Sequence, residues 1–112
     1  MEMIHIHLVI ENFNNRGKNM IVEVKNLNNT GDNYPPSGFD SWLNWRKVKK
    51  GRIAKNCANI NCNCIPEVGA HVKYFNDNKQ WLITPPCKKC NNISSDLEFF
   101  VSSNDLQPIG NN

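Results

Sequence analysis

The chain has 112 residues and a formal net charge of +3, enough for one domain that buries about two-thirds of the surface its unfolded form exposes. Hydrophobic residues make up 39% and aromatics 9%, mean hydropathy is −0.56, and no apolar run approaches the ~20 residues of a membrane span, which excludes a membrane-spanning helix. A core this small needs a second source of stability, and the five cysteines are the candidates.

Residues 3 to 10 alternate, with Ile4, Ile6, Leu8 and Ile10 on one face and His5 and His7 on the other, the pattern of a half-buried strand. A loop containing Gly17 leads to a second alternating run from Met20 to Leu27, so residues 1–27 read as an antiparallel hairpin. His5 and His7 read as solvent-facing strand residues, since no third metal ligand lies nearby. The start, M-E-M-I-H-I-H-L-V-I-E, lacks the charge and apolar pattern of an export signal, and an odd cysteine count argues against a disulfide framework. A reducing, cytoplasmic location is expected.

Residues 28–38 form a loop punctuated by Gly31, Gly38 and Pro35-Pro36. A helix is expected over 39–50, capped by Ser37 or Asp40, with Phe39, Trp42, Leu43, Trp45 and Val48 as its apolar stripe, Trp42 in the core and Gly51 just past its end. Arg46, Lys47, Lys49 and Lys50 complement the negative end of the helix dipole. With Arg52 and Lys55 they make a basic run before the first cysteine. That run is either a solvated helix end or a surface that contacts phosphates.

Residues 57–112 carry the main signal. C-A-N-I-N-C-N-C precedes E-V-G-A-H-V-K-Y-F, a strand, then an N-D-N turn at 76–78, the strand K-Q-W-L-I-T, Pro85-Pro86 and a C-x2-C that opens a short helix. Ligand spacing favours Cys57 with Cys62 over Cys57 with Cys64 or Cys62 with Cys64, so the expected structural Zn²⁺ site is Cys57, Cys62, Cys87 and Cys90. Cys64 is then surplus and reads as a small buried filler. Leu97, Phe99 and Val101 suggest a last strand that covers the core, and D-L-Q-P-I-G-N-N a terminal turn and frayed end. Cysteine knuckle, hairpin, then C-x2-C at a helix start is the order of a treble clef. The fold class expected is a small zinc-stabilised α+β domain, with an N-terminal hairpin and one amphipathic helix before the knuckle.

G-A-H-V followed by W-L-I-T-P-P-C-K-K-C-N resembles the HNH endonuclease pattern. Residues 39–109 also resemble small bacterial and phage proteins that carry S-W-L, G-A-H-V and P-x-C-x-x-C-N. The resemblance implies that His71 matches the general base and Asn91 a residue that helps hold a catalytic metal. Ala70 stands where an acidic or histidine metal ligand is expected, and Leu82 where an asparagine orients the base. A hard divalent cation needs oxygen ligands that these two cannot supply. A scaffold without catalysis follows, with His71 bracing the hairpin by a hydrogen bond or serving as an alternative zinc ligand.

The function expected is a non-catalytic zinc module that binds DNA, RNA or a nucleic-acid-guided protein complex through Arg46, Lys47, Lys49, Lys50, Arg52, Lys55, Lys88 and Lys89. Two alternatives stand beside it: a phage or mobile-element protein that inhibits a host nuclease or defence complex by protein binding, and an active HNH-type nuclease using His71 and Asn91.

Overall fold

The computed structural model describes residues 20–27, 30 and 33–110. The expected strand over 3–10, with His5 and His7, lies outside them. Strand β1 (Ile21–Asn26) is followed by helix α1 (Trp42–Lys50), the hairpin β2 (Ala70–Tyr74) and β3 (Asp77–Thr84), the single-turn helix α2 (Lys88–Asn91), β4 (Glu98–Ser102), a 3₁₀ turn over Ser103–Asp105 and the two-residue β5 (Gln107–Pro108). The five strands form one sheet in the order β4-β1-β2-β3-β5, and each neighbouring pair is antiparallel.

Strand β1 lies between two partners, with Val24 opposite Tyr74 of β2 and opposite Phe99 of β4. The alternation that marks 20–27 as a strand therefore serves a central strand of the sheet. The β2–β3 turn is tighter than the N-D-N at 76–78 suggests: Tyr74 already faces Asp77, leaving Phe75 and Asn76 as the two-residue loop. Residues 106–108 are built into the fold, because Leu82 and Ile83 pair with Pro108 and Gln107 and Leu106 is buried.

Val24, Val72, Leu82, Phe99 and Val101 form the core on one sheet face, joined by Ala58 and Leu106, with Val22, Tyr74 and Ile93 against its margin. Successive strand residues point to opposite faces, so His71 and Ile83, between these core positions, lie on the other face. Helix α1 meets His71 there through Trp42, whose ring centroid is 4.9 Å away, while Trp42 packs edge-on against Trp45 at 5.2 Å. Trp45 is the tryptophan that is buried, and Trp42 is only partly covered.

The helix starts three residues later than expected. Its cap is Ser41, whose Oγ accepts the Asn44 N–H at 3.0 Å, rather than Ser37 or Asp40. Gly51 ends it in the left-handed region, φ 76°, where most side chains are strained. The apolar stripe is shorter than drawn, since Val48 is 54% exposed.

Arg46 replaces Val48 on the inner face. It is among the largest fully buried side chains, with Nε donating to the Asp105 carbonyl at 3.0 Å and Nη2 to Asp105 Oδ1 at 3.4 Å. Burial lowers its pKa and the Asp105 carboxylate partly offsets that.

Gly69 brings the backbone before β2 against the first turn of α1. A Cβ placed there would lie 2.5 Å from Leu43 N and 2.6 Å from the Trp42 carbonyl carbon, closer than non-bonded atoms tolerate. Gly69→Ala should therefore lower the unfolding free energy by about 1–3 kcal/mol, read from urea unfolding. An unchanged midpoint would show that the contact is not needed.

Candidate metal centre

The segments 57–67 and 85–90 are connected by backbone hydrogen bonds before any ligand is considered. The Ala58 N–H donates to the Pro85 carbonyl at 3.0 Å, the Cys57 N–H to the Cys64 carbonyl at 2.8 Å, and the Glu67 N–H to the Pro86 carbonyl at 2.9 Å. Pro85 and Pro86 follow β3, the first offering its carbonyl to the cysteine loop and the second to Glu67 and Val68 just beyond it. Cys87 is the N-cap of α2. Asn26, a buried side chain of β1, anchors this turn from below: its Nδ2 reaches the carbonyls of Cys90 and Ile93, each at 3.0 Å.

Cys57, Cys62, Cys87 and Cys90 come together, their sulfurs all within 4.8 Å of one another. All five cysteines are free of disulfides. A tetrahedral ion with metal–sulfur bonds of about 2.3 Å sets its sulfurs roughly 3.8 Å apart, and Cys62 Sγ lies 3.8 Å from Cys87 Sγ. Each of the four sulfurs also accepts one N–H. Cys57 Sγ accepts from Cys87 N at 3.3 Å, Cys62 Sγ from Cys64 N at 3.5 Å, Cys87 Sγ from Cys90 N at 3.5 Å, and Cys90 Sγ from Asn59 Nδ2 at 3.4 Å.

Such donors orient ligating sulfurs and favour thiolate. Those groups respond unequally: the Cys64 N–H draws Cys62 down to about 7, whereas burial, with the neighbouring sulfurs, pushes Cys90 up to about 12. A divalent cation reverses that preference, since coordination deprotonates a thiol outright. The donor set fits a soft or borderline metal held by thiolates in a closed site.

Cys64 is exposed, not buried as its surplus status suggested. It contributes through its backbone, giving its N–H to Cys62 and its carbonyl to Cys57. Cys64→Ser should keep the thiolate-to-cobalt absorption of a Co²⁺-loaded sample at full intensity, while Cys62→Ala should lose most of it. Loss of the band in Cys64→Ser would place Cys64 among the ligands.

His71 is not a member of the cysteine cluster, and its Nε2 is buried without a hydrogen-bond partner. Neither the bracing hydrogen bond from that nitrogen nor a zinc-ligand role is observed. Its ring stands between Trp42 and Trp81, edge-on to both, at 4.9 and 5.7 Å. Burial holds its pKa below the ordinary value.

The folded protein therefore binds fewer protons at this group than the unfolded chain, and stability is lost as pH falls below the unfolded pKa of about 6.5. His71→Phe, which keeps a ring in the slot and removes the orphan nitrogen, should be at least as stable near neutrality. Its advantage in urea unfolding should widen between about pH 7 and about pH 5. A constant difference across that range would contradict a neutral, desolvated imidazole.

His71 and Asn91 do share a pocket of about 400 Å³, lined also by Tyr34, Ser41, Trp42, Leu43, Glu67 and Gly69. The S-W-L and G-A-H-V segments and the residue after the last cysteine meet there. Ala70 pairs with Thr84, and Leu82 is fixed in the core.

Of the expected cationic contacts, Lys47, Lys49, Arg52, Lys55, Lys88 and Lys89 are exposed, Lys50 is half-buried, and Arg46 is buried. Arg46 cannot reach a partner without breaking its contacts to Asp105. Sequence reasoning passed over Asn26, Asn59 and Glu67. Asn59 could have been found from its place inside the Cys57–Cys62 loop, where sulfur acceptors need donors; the other two act across the fold and leave no local pattern.

Comparison with protein families, with curated proteins and with solved structures found no match. The fold and the cysteine cluster define a small α+β protein with a four-cysteine site positioned to bind a metal ion. Among the described residues no helix is long and apolar enough to cross a membrane.

Proposed function

We propose that the protein is a non-catalytic zinc module, treble-clef-like around its cysteines, that holds a nucleic acid, free or within a nucleoprotein, on exposed lysines and arginine. Zinc is favoured because four thiolates in a closed tetrahedral set match its structural sites, and it would lend the small core folding free energy on the order of 10 kcal/mol. The ion would be held by Cys57, Cys62, Cys87 and Cys90 and would tie the loop after α1 to the turn after β3.

Six exposed cations carry the reading: Lys47, Lys49, Arg52 and Lys55 at the end of α1 and beyond it, and Lys88 and Lys89 between the paired cysteines. Cations placed on rigid elements beside a metal-braced loop are suited to phosphate contacts, whose strength derives from counterion release. The absence of chemistry is supported by Ala70 and Leu82, which offer no oxygen to a hard cation, and by the shielding of His71 Nε2. A general base must reach the proton it removes, and this nitrogen is covered.

Affinity of the zinc-loaded protein for labelled DNA and RNA strands should fall steeply as salt rises from about 50 to about 200 mM. Replacing Lys47, Lys49, Arg52 and Lys55 together by alanine should flatten the log–log slope by roughly 3, with the zinc content kept. Salt-independent binding, or an unchanged slope in that variant, would reject the reading.

A further inference from the structure

The pocket beside the cysteine site has a composition that selects among ligands. Its volume is about 400 Å³, and none of the described residues that line it is a lysine or arginine. Burial disfavours the charged form of His71, so among the described lining residues the one charge is the carboxylate of Glu67. An anionic group is therefore unwelcome inside it, whereas a neutral group with hydrogen-bond donors is matched. Trp42 has its Nε1 already committed to the Asn33 carbonyl at 2.7 Å and offers the pocket an aromatic surface. Tyr34, 78% exposed, is a second ring in the lining with room to turn onto whatever enters. Two aromatic side chains and a few directed polar groups in a cavity of this size describe a site for a planar ring.

Glu67 decides which ring. Its Oε1 accepts the Lys88 N–H at 2.8 Å, which holds the exposed carboxylate at the start of α2 with acceptor capacity left on both oxygens for a ligand. A carboxylate only accepts hydrogen bonds. Among the four bases, guanine alone presents two adjacent donors, N1–H and the N2 amino group, on its pairing edge. Adenine and cytosine place a ring acceptor beside their amino group, and uracil flanks its single N–H with two carbonyls. Lys88, whose backbone N–H holds Glu67, has an exposed side chain long enough to turn toward a phosphate carried by the bound nucleoside.

We propose that this pocket receives an unstacked guanine, stacked against Trp42 and Tyr34 and held by Glu67, with its phosphate toward Lys88. This deepens the nucleic-acid reading above and rests on it for the source of the base, a single strand, since bases are read by stacking and by their pairing edges only when unpaired.

The zinc-loaded protein is titrated with GMP, AMP, CMP and UMP, followed by tryptophan fluorescence. GMP should bind about tenfold more tightly than the others, the discrimination expected of a two-point contact to one base edge. Glu67→Gln should abolish that preference and keep the zinc content, and Tyr34→Ala should weaken all four nucleotides together. A seven-nucleotide pyrimidine strand bearing one guanine should outcompete the all-pyrimidine strand in the parent and not in Glu67→Gln.

If GMP is preferred and neither strand binds, the pocket stands as a guanine site for free nucleotides and the nucleic-acid reading fails. If both strands bind equally and with strong salt dependence, the lysine surface stands and the guanine site fails. Equal affinity for the four nucleotides, no binding of GMP, or a preference that survives Glu67→Gln overturns the proposal.

Discussion

Four sulfurs confined within 4.8 Å of one another are the constraint on which the rest depends. Burial and the neighbouring sulfurs hold the Cys90 thiol up at about 12, and the compensation on the protein side is a set of N–H groups aimed at each sulfur. Three come from the backbone, at Cys64, Cys87 and Cys90, and one from the Asn59 side chain. Those donors exist only if the 57–64 loop and the turn into α2 hold the conformations described, so loop geometry and sulfur chemistry enforce each other. The proline carbonyls at the end of β3 and the amide of Asn26 fix that pair of loops to one face of the sheet.

The other face is organised by α1, through rings and through one buried cation. Trp42, His71 and Trp81 form an edge-to-face series, and Arg46 reaches Asp105 beyond the end of the last long strand. Removing a guanidinium from water is expensive unless its donors are met and its charge balanced. The Asp105 carbonyl and carboxylate do both, and in doing so they hold the 3₁₀ turn that lets β5 return to β3. The sheet thereby carries the cysteine loops on one face and, over β2, β3 and β5, the helix on the other.

Much of the cysteine centre was legible in the sequence because candidate metal ligands pair at short range: a C-x2-C and a pair with four residues between its members announce themselves by spacing. The strand at 21–26, the hairpin around residue 75 and the glycine after α1 were readable for the same reason, as local patterns with a local cause. What stayed hidden was long-range. Arg46 looked like one cation in a run of six, yet it sits one helical turn after Trp42 on the same stripe, and its partner is 59 residues away. Asn26 reads as the polar end of a strand, while its work is done on carbonyls 64 to 67 residues later. β5 was invisible because two residues, one a proline, carry no periodicity.

The strand order has a consequence for how the domain comes into being. Because β1 is seated between β2 and β4, the central ladder of the sheet joins the earliest described segment to pieces contributed some fifty and some seventy-five residues later. The cysteine region cannot be cut out as an autonomous unit without baring the hydrogen-bonding edges of β2 and β4 and removing the amide that anchors its turn. During synthesis the arrangement is completed only once β4 has left the ribosome, so until then both cysteine loops are tethered to an unfinished platform.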